Sequence, residues 1–178
     1  MEDIMILVDE QDNFQGYMGK MEAHQKGIKH RAFSIFVFNE KNELLLQQRA
    51  LNKYHTPGLW SNTCCSHPRY GETIVHAVHR RLPEEMGFDT ELFHVHEMSY
   101  EIRFDNGITE NEYDHVLVGR FSGEPVINPD EVNDWKWMDL RSLREDMMLQ
   151  PEKYTFWFQR IVNEFDFLGA LETLNPAG

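Results

Sequence analysis

Residues 64–72 read CCSHPRYGE, and they hold both cysteines of the chain, adjacent to one another and just ahead of His67. A thiol beside an imidazole can ligate a transition metal, exchange a proton or attack as a nucleophile, or fill a core as a small apolar group. Taken alone, the residue types leave all of these open for either cysteine.

A charged segment follows directly. Ile74, Ala77, Val78 and Leu82 recur at helical spacing, with Arg80, Arg81, Glu84 and Glu85 on the remaining surface and Gly87 as a stop. Pro83 predicts a kink or loosening inside this helix, because it removes a hydrogen bond. Carboxylates three or four residues apart share a helical face. Hard oxygen ligands of that kind suit magnesium, which keeps part of its shell for phosphate oxygens and water. On charge alone the same run is a solvated helix face.

Further donors lie elsewhere. AHQKGIKHRAFS supplies His24 and His30, NTCCSHP supplies Cys65 and His67, and GITENEYDHV supplies Glu110 and Glu112. The gap between those glutamates points both to one side of an extended strand.

The elements that must position these groups are legible in part. Strands are expected at 4–8, 31–39 and 44–49, the last two forming a hairpin around EKNE. TPGLW at 56–60 reads as a loop. Strand-like runs follow at 93–104 and 113–121, then a short strand leading into a helix near Leu140, and an aromatic-rich helix over 151–168. The expected architecture is one α/β (α+β) domain over residues 1–178, a mixed β-sheet flanked by helices.

Composition narrows the partners. The 178 residues carry a formal charge of −13, which disfavours nucleic acid as a partner but leaves room for a small anion held by clustered cations. No run approaches the roughly 20 apolar residues of a membrane span. The N-terminal MEDIMILVDEQ does not read as a secretory signal. Two adjacent cysteines make no disulfide framework, so free thiols in the cytoplasm are expected.

The segment from Ser66 to Gly87 resembles the Nudix box, a loop-helix-loop framed as Gly, five residues, Glu, seven residues, then Arg-Glu-apolar-any-Glu-Glu-any-Gly-apolar. Here the opening Gly is Ser66, and the acid after the Arg is Arg81. Hydrolytic Nudix enzymes rely on that acid, so the resemblance implies a chain poorly equipped for hydrolysis, with Arg81 suited to direct diphosphate binding.

HRAFS, PGLWSNTCCSHP and ENEYDH extend the likeness over residues 20–157. Together with the altered box they resemble the type 1 isopentenyl diphosphate isomerases. That resemblance implies a Nudix-like fold and interconversion of isopentenyl and dimethylallyl diphosphate. It implies one Mn2+ or Zn2+ held by His24, His30, His67, Glu110 and Glu112, and Mg2+ at Glu85. Glu112, assisted by Tyr100, would deliver a proton and Cys65 would take one away, the two swapping roles in the reverse direction. Cys64 would be a small buried bystander, Trp157 would stabilise positive charge, and nearby cations would help keep a Cys65 thiolate available. Lys20, Arg49, Lys53, Ser66 and Arg81 would bind the diphosphate. Glu72 and Glu84 are expected only to support the loop or pair with Arg80, and His55, His76, His79, His94, His96 and His115 to be structural. Residues 20–29 are a candidate lid, and a monomer or weak homodimer is expected. The rival readings are a Nudix hydrolase of a nucleoside diphosphate derivative and a non-catalytic module with a structural zinc site.

Overall fold

The computed structural model describes residues 3–174. The chain runs β1 (Ile4–Val8), β2 (Phe14–Gly19), α1 (Lys20–Lys26), β3 (His30–Phe38), β4 (Glu43–Arg49), β5 (Trp60–Ser61), β6 (Cys64–Ser66) and α2 (Ile74–Met86). It continues with β7 (Leu92–Arg103), β8 (Thr109–Arg120), β9 (Val132–Asp139), α3 (Leu140–Leu149), a 3-10 turn (Pro151–Lys153), α4 (Phe156–Glu164) and α5 (Phe167–Leu174).

β3 organises the sheet. It runs parallel to β8, from His30 opposite Glu112 to Phe38 opposite Arg120, and antiparallel to β6 on its other side. β8 pairs antiparallel with β7, and β4 with β9 and β5. The expected mixed sheet is therefore present, with β3/β8 as its parallel pair.

Side-chain alternation along β3 divides two cores. Phe33, Ile35 and Val37 join Leu45, Cys64 and Leu117 under Ala77, Val78, Leu82 and Met86 of α2. Phe36 and Phe38 join Leu44, Leu46, Tyr100, Val116 and Val118 under α3, α4 and α5, with Trp157, Phe158 and Phe167 among the contacts. A strand buried on both faces reads as a near-continuous apolar run, as RAFSIFVF does.

The helix after the cysteines starts where its sequence says. Thr73 caps it by accepting from the His76 amide, and Gly87 ends it in a left-handed conformation. Pro83 lies within the helix without ending it, three residues before its end. The aromatic-rich 151–168 run is the main correction, since it forms a 3-10 turn and α4, breaks at Phe165, and only then enters α5. β2 and α1 were not foreseen. β2 is an edge strand with mostly exposed or half-buried residues, and α1 is short and bracketed by Gly19 and Gly27. Part of the expected 56–60 loop also differs, because Trp60 begins β5.

Candidate active site

The two cysteines part company on β6. Cys64 is fully buried in the core beneath α2, whereas Cys65 packs against the opposite core, which contains Tyr100 and Trp157. Cys65 also lines a cavity of about 170 Å³. Both thiols are free, and their divergence rules out joint ligation of one metal.

A cluster of histidines and glutamates adjoins that cavity, His67, Glu110 and Glu112 lining it while His24 and His30 are fully buried. α1 supplies His24, the first residue of β3 is His30, the segment after β6 supplies His67, and alternate positions of β8 supply Glu110 and Glu112. His67 Nε2 lies 2.9 Å and His30 Nε2 3.4 Å from Glu112 Oε1. His24 Nε2 lies 3.4 Å from Glu110 Oε2. The far side of two imidazoles is already engaged. His30 Nδ1 sits 2.9 Å from the Ile28 carbonyl, and His24 Nδ1 2.8 Å from the Tyr54 hydroxyl. A carbonyl can only accept, so Nδ1 of His30 carries the proton and, in the neutral ring, Nε2 presents its lone pair to the cluster.

Three atoms here are buried without a hydrogen-bond partner: His24 Nε2, His30 Nε2 and Glu110 Oε2. Orphaned polar atoms of this kind are costly, and a divalent cation among them would satisfy all three. The imidazole and carboxylate donors therefore fit a divalent metal, and the ligand atoms of His24, His30, His67 and Glu110 lie within 4.8 Å of one another. The electrostatics agree. Burial opposes charge on His30, yet its contacts with Glu112 and Glu110 raise its pKa overall. Burial likewise opposes ionisation of Glu110, but the neighbouring His24 and His55 imidazoles hold it well below the carboxylate range. For Glu112, burial and the neighbouring Glu110 are outweighed by His30 and His67, so it too is lowered. Burial moves His67 to about 4, so it is neutral and able to ligate.

His55 is a departure from its purely structural reading. Its Nε2 lies 2.9 Å from Glu110 Oε1, its ring stacks on Phe104 at 5.3 Å, and it lines the cavity. No spacing signal marked it, because it sits in a loop turned by the positive φ of Thr56. On α2, His76 lies exposed, and the half-buried His79 pairs through Nδ1 with Asp89 at 2.8 Å.

Across the cavity stand the groups expected to handle carbon. The Tyr100 hydroxyl donates to Glu112 Oε2, and Tyr100 stacks on Trp157 with ring centroids 6.4 Å apart. Trp157 is both core and cavity wall, being 4% exposed. Burial pushes the Cys65 thiol up to about 12, against the pull of Arg49 toward the thiolate.

The cationic end brings together Lys20, Arg49, Lys53, Arg81 and Ser66 on the same cavity. Burial, and then repulsion from Lys53 and Arg81 against attraction from Glu110, lowers the Lys20 pKa. Arg81 donates to Glu85 and Glu84 and lies 3.4 Å from Glu131, which also pairs with Lys53. Glu131, a cavity residue that sequence reasoning missed, thus neutralises two of the cations. Glu85 accepts from Arg81 on one oxygen and from Gln47 on the other at 2.8 Å. Glu72 and Arg80 form the expected pair, at 2.6 and 2.9 Å.

The sheet with its box helix defines a class, and comparison with known proteins agrees. Residues 28–158 match the NUDIX domain family. A Deinococcus radiodurans structure superimposes with a TM-score of 0.75 over 90% of this chain and 98% of its own, at 17% identity. A MutT NUDIX hydrolase from Burkholderia pseudomallei does so at 0.62 and 20% identity, over 78% of this chain and 98% of its own. At those identities the likeness is one of fold. The sequence relatives are nearer. An Aromatoleum aromaticum protein named isopentenyl-diphosphate Delta-isomerase 2 is 52% identical over 100% of this chain and 93% of its own length. One of the same name from Photorhabdus laumondii is 53% identical over 94% of each. The chain belongs to the isopentenyl-diphosphate Delta-isomerase family of NUDIX-domain proteins.

Proposed function

We propose that this protein interconverts isopentenyl and dimethylallyl diphosphate. The observation that carries the reading is the placement of Cys65 and the Tyr100-bonded Glu112 on one cavity with Trp157, while position 81 of the box holds an arginine. An acid, a base and an aromatic face are what a proton exchange on an alkene needs. Moving the double bond from the 3,4 to the 2,3 position adds a proton to the terminal methylene carbon and removes one from the allylic carbon. The tertiary carbocation between those steps must be shielded from water.

Cys65 and Glu112 are the proposed donor and acceptor. Burial favours the proton on Cys65, and the histidines favour carboxylate on Glu112. In this state the thiol donates and the carboxylate, held by the Tyr100 hydroxyl, accepts. Each turnover exchanges their roles, so the thiolate and carboxylic acid serve the opposite direction. Trp157 stabilises the cation by a cation–π contact, about 2 kcal/mol or more when desolvated. His24, His30, His67, Glu110 and Glu112 would hold Mn2+ or Zn2+, and Glu85 would hold Mg2+ on the diphosphate. A bound divalent cation supplies fixed positive charge that lowers the pKa of the neighbouring acid groups. Lys20, Arg49, Lys53, Ser66 and Arg81 orient the diphosphate, letting a chain of net charge −13 bind a polyanion. α1 carries Lys20 and His24 together, which supports 20–29 as a cover that orders over substrate.

The test is direct. Purified protein with Mg2+ is given isopentenyl diphosphate, and the acid-labile allylic isomer is the expected product. Phosphate release from nucleoside diphosphate derivatives without isomer would overturn the proposal.

A further inference from the structure

A second group of metal-ligating side chains lies outside this cavity. β8 sends Glu110 and Glu112 toward the cavity, while Tyr113 and His115 occupy its alternate positions, on the same face as Leu117 of the core beneath α2. Opposite them on β7 the register slips: His94 pairs with Leu117 and His96 with Val116, which leaves Val95 as an extra residue. In a regular strand His94 and Glu97 would face opposite ways. The bulge turns both onto the His115 face, because their partners Leu117 and His115 share it.

The three ligand atoms converge. His94 Nε2 lies 3.0 Å from His115 Nδ1 and 3.4 Å from Glu97 Oε1, and His115 Nδ1 lies 3.6 Å from that same oxygen. A zinc tetrahedron with bonds of about 2.0–2.1 Å separates its ligand atoms by about 3.3 Å, so this triangle has the size of one face of such a site.

Two of the three ligands are also oriented from behind. His115 Nε2 sits 2.9 Å from Asp12 Oδ2, a carboxylate that takes the ring proton and leaves Nδ1 as the lone-pair donor. Asp12 is in turn gripped by Arg31, through Nε to its carboxylate at 2.7 Å and through the guanidinium to its carbonyl at 2.8 Å. Tyr113 donates to Glu97 Oε2 at 2.5 Å, leaving Oε1 for the cluster. Carboxylate, imidazole and metal in series is the arrangement that supporting residues build around a zinc ligand.

We propose that His94, Glu97 and His115 form a second divalent transition-metal site, of the zinc, nickel or copper class, with Asp12 as its positioning residue. Two imidazoles and one carboxylate select such ions over magnesium. The site leaves one coordination position open to solvent, since His94 and Glu97 side chains are 44% and 41% exposed. It ties the turn between β1 and β2 to the β7–β8 hairpin, and it stands independently of the isomerase reading.

Zinc titration of the full chain, followed by calorimetry and by elemental analysis after dialysis, tests it. The wild type should bind one more zinc, at micromolar affinity or tighter, than the His94→Gln/Glu97→Gln variant. Both positions are exposed, so circular dichroism should report an unchanged fold. His67→Ala should lose the other equivalent and keep this one, and Asp12→Asn should weaken it about tenfold. Equal stoichiometry in wild type and double variant, or an extra equivalent that binds only at millimolar zinc, overturns the proposal.

Discussion

Cys64 and Cys65, adjacent in sequence, face opposite sides of β6: the first is sealed beneath α2 and the second packs toward Trp157 and Tyr100. Strand alternation alone therefore assigns one thiol to packing and the other to the cavity. Cys65→Ala should lower kcat by about 10²–10⁴, the range for a general acid–base group. Cys64→Ala should leave kcat within a few-fold and cost about 1 kcal/mol in a urea melt. Similar losses of turnover in both variants would refute this division.

The histidine–glutamate cluster makes a second prediction. His67→Ala should lower bound transition metal by one equivalent, because its Nε2 faces Glu112 at 2.9 Å among the orphaned nitrogens. Chelation of the wild type should also lower its melting temperature, since buried acceptors and carboxylates lose their cation. Metal content unchanged by the substitution would remove His67 from the ligand set.

Much of this was legible in the chain, for physical reasons. RAFSIFVF reads as a strand because apolar, β-branched and aromatic residues fill both faces of β3. The box helix reads from Thr73 to Gly87 because its cap and its stop are local chemistry. Glu110 and Glu112 share a side because any strand makes them do so. What escaped was set by tertiary contact. FQGYMG has no alternation to mark β2 as an edge strand. The break at Phe165 follows from the ring packing of Phe165 against Phe167, which periodicity does not register. His55 and Glu131 owe their places in the cavity to loops, and the convergence of His94 and Glu97 on His115 depends on a bulge at Val95.

Glu131 pairs with Lys53 and Arg81, and under the proposed diphosphate role of those cations it would compete with substrate for them. Glu131→Gln should therefore lower KM for isopentenyl diphosphate several-fold, with kcat little changed. Its pKa is lowered: burial opposes ionisation, but Lys53 and then Arg81 outweigh it. Because the folded value lies below the ordinary 4.5, the pairs stabilise the fold above that pH and lose their contribution as pH falls through the folded value. The stability gap between wild type and variant should accordingly close in acid. An unchanged or raised KM would count against Lys53 and Arg81 as diphosphate ligands.

Trp157 serves both the core and the cavity, so two substitutions separate its roles. Trp157→Ala removes a 4% exposed ring from the larger core and should cost about 3–5 kcal/mol of stability. Trp157→Phe keeps an aromatic face of weaker quadrupole, and should lower kcat roughly tenfold while stability falls less. A Phe variant with wild-type turnover would leave Trp157 as a packing residue.

Gly87 links helix termination to the segment that carries Glu131. Its φ of 73° is left-handed, and a Cβ there would lie 2.3 Å from the Val126 carbonyl oxygen. Strain in the left-handed region costs about 1–3 kcal/mol for a residue with a side chain, and a backbone oxygen cannot swing aside as a flexible side chain could. The 126–131 segment is pinned to the same turn, by Val126 N to the Met86 carbonyl and Asn128 N to the Glu85 carbonyl, both at 2.9 Å. That segment ends at Glu131, the partner of Lys53 and Arg81. Gly87→Ala should therefore cost about 2 kcal/mol or more in a urea melt. It should also shift KM for the diphosphate substrate more than it shifts kcat. Loss of kcat alone, with KM and stability unchanged, would show that this turn does not position the cationic end.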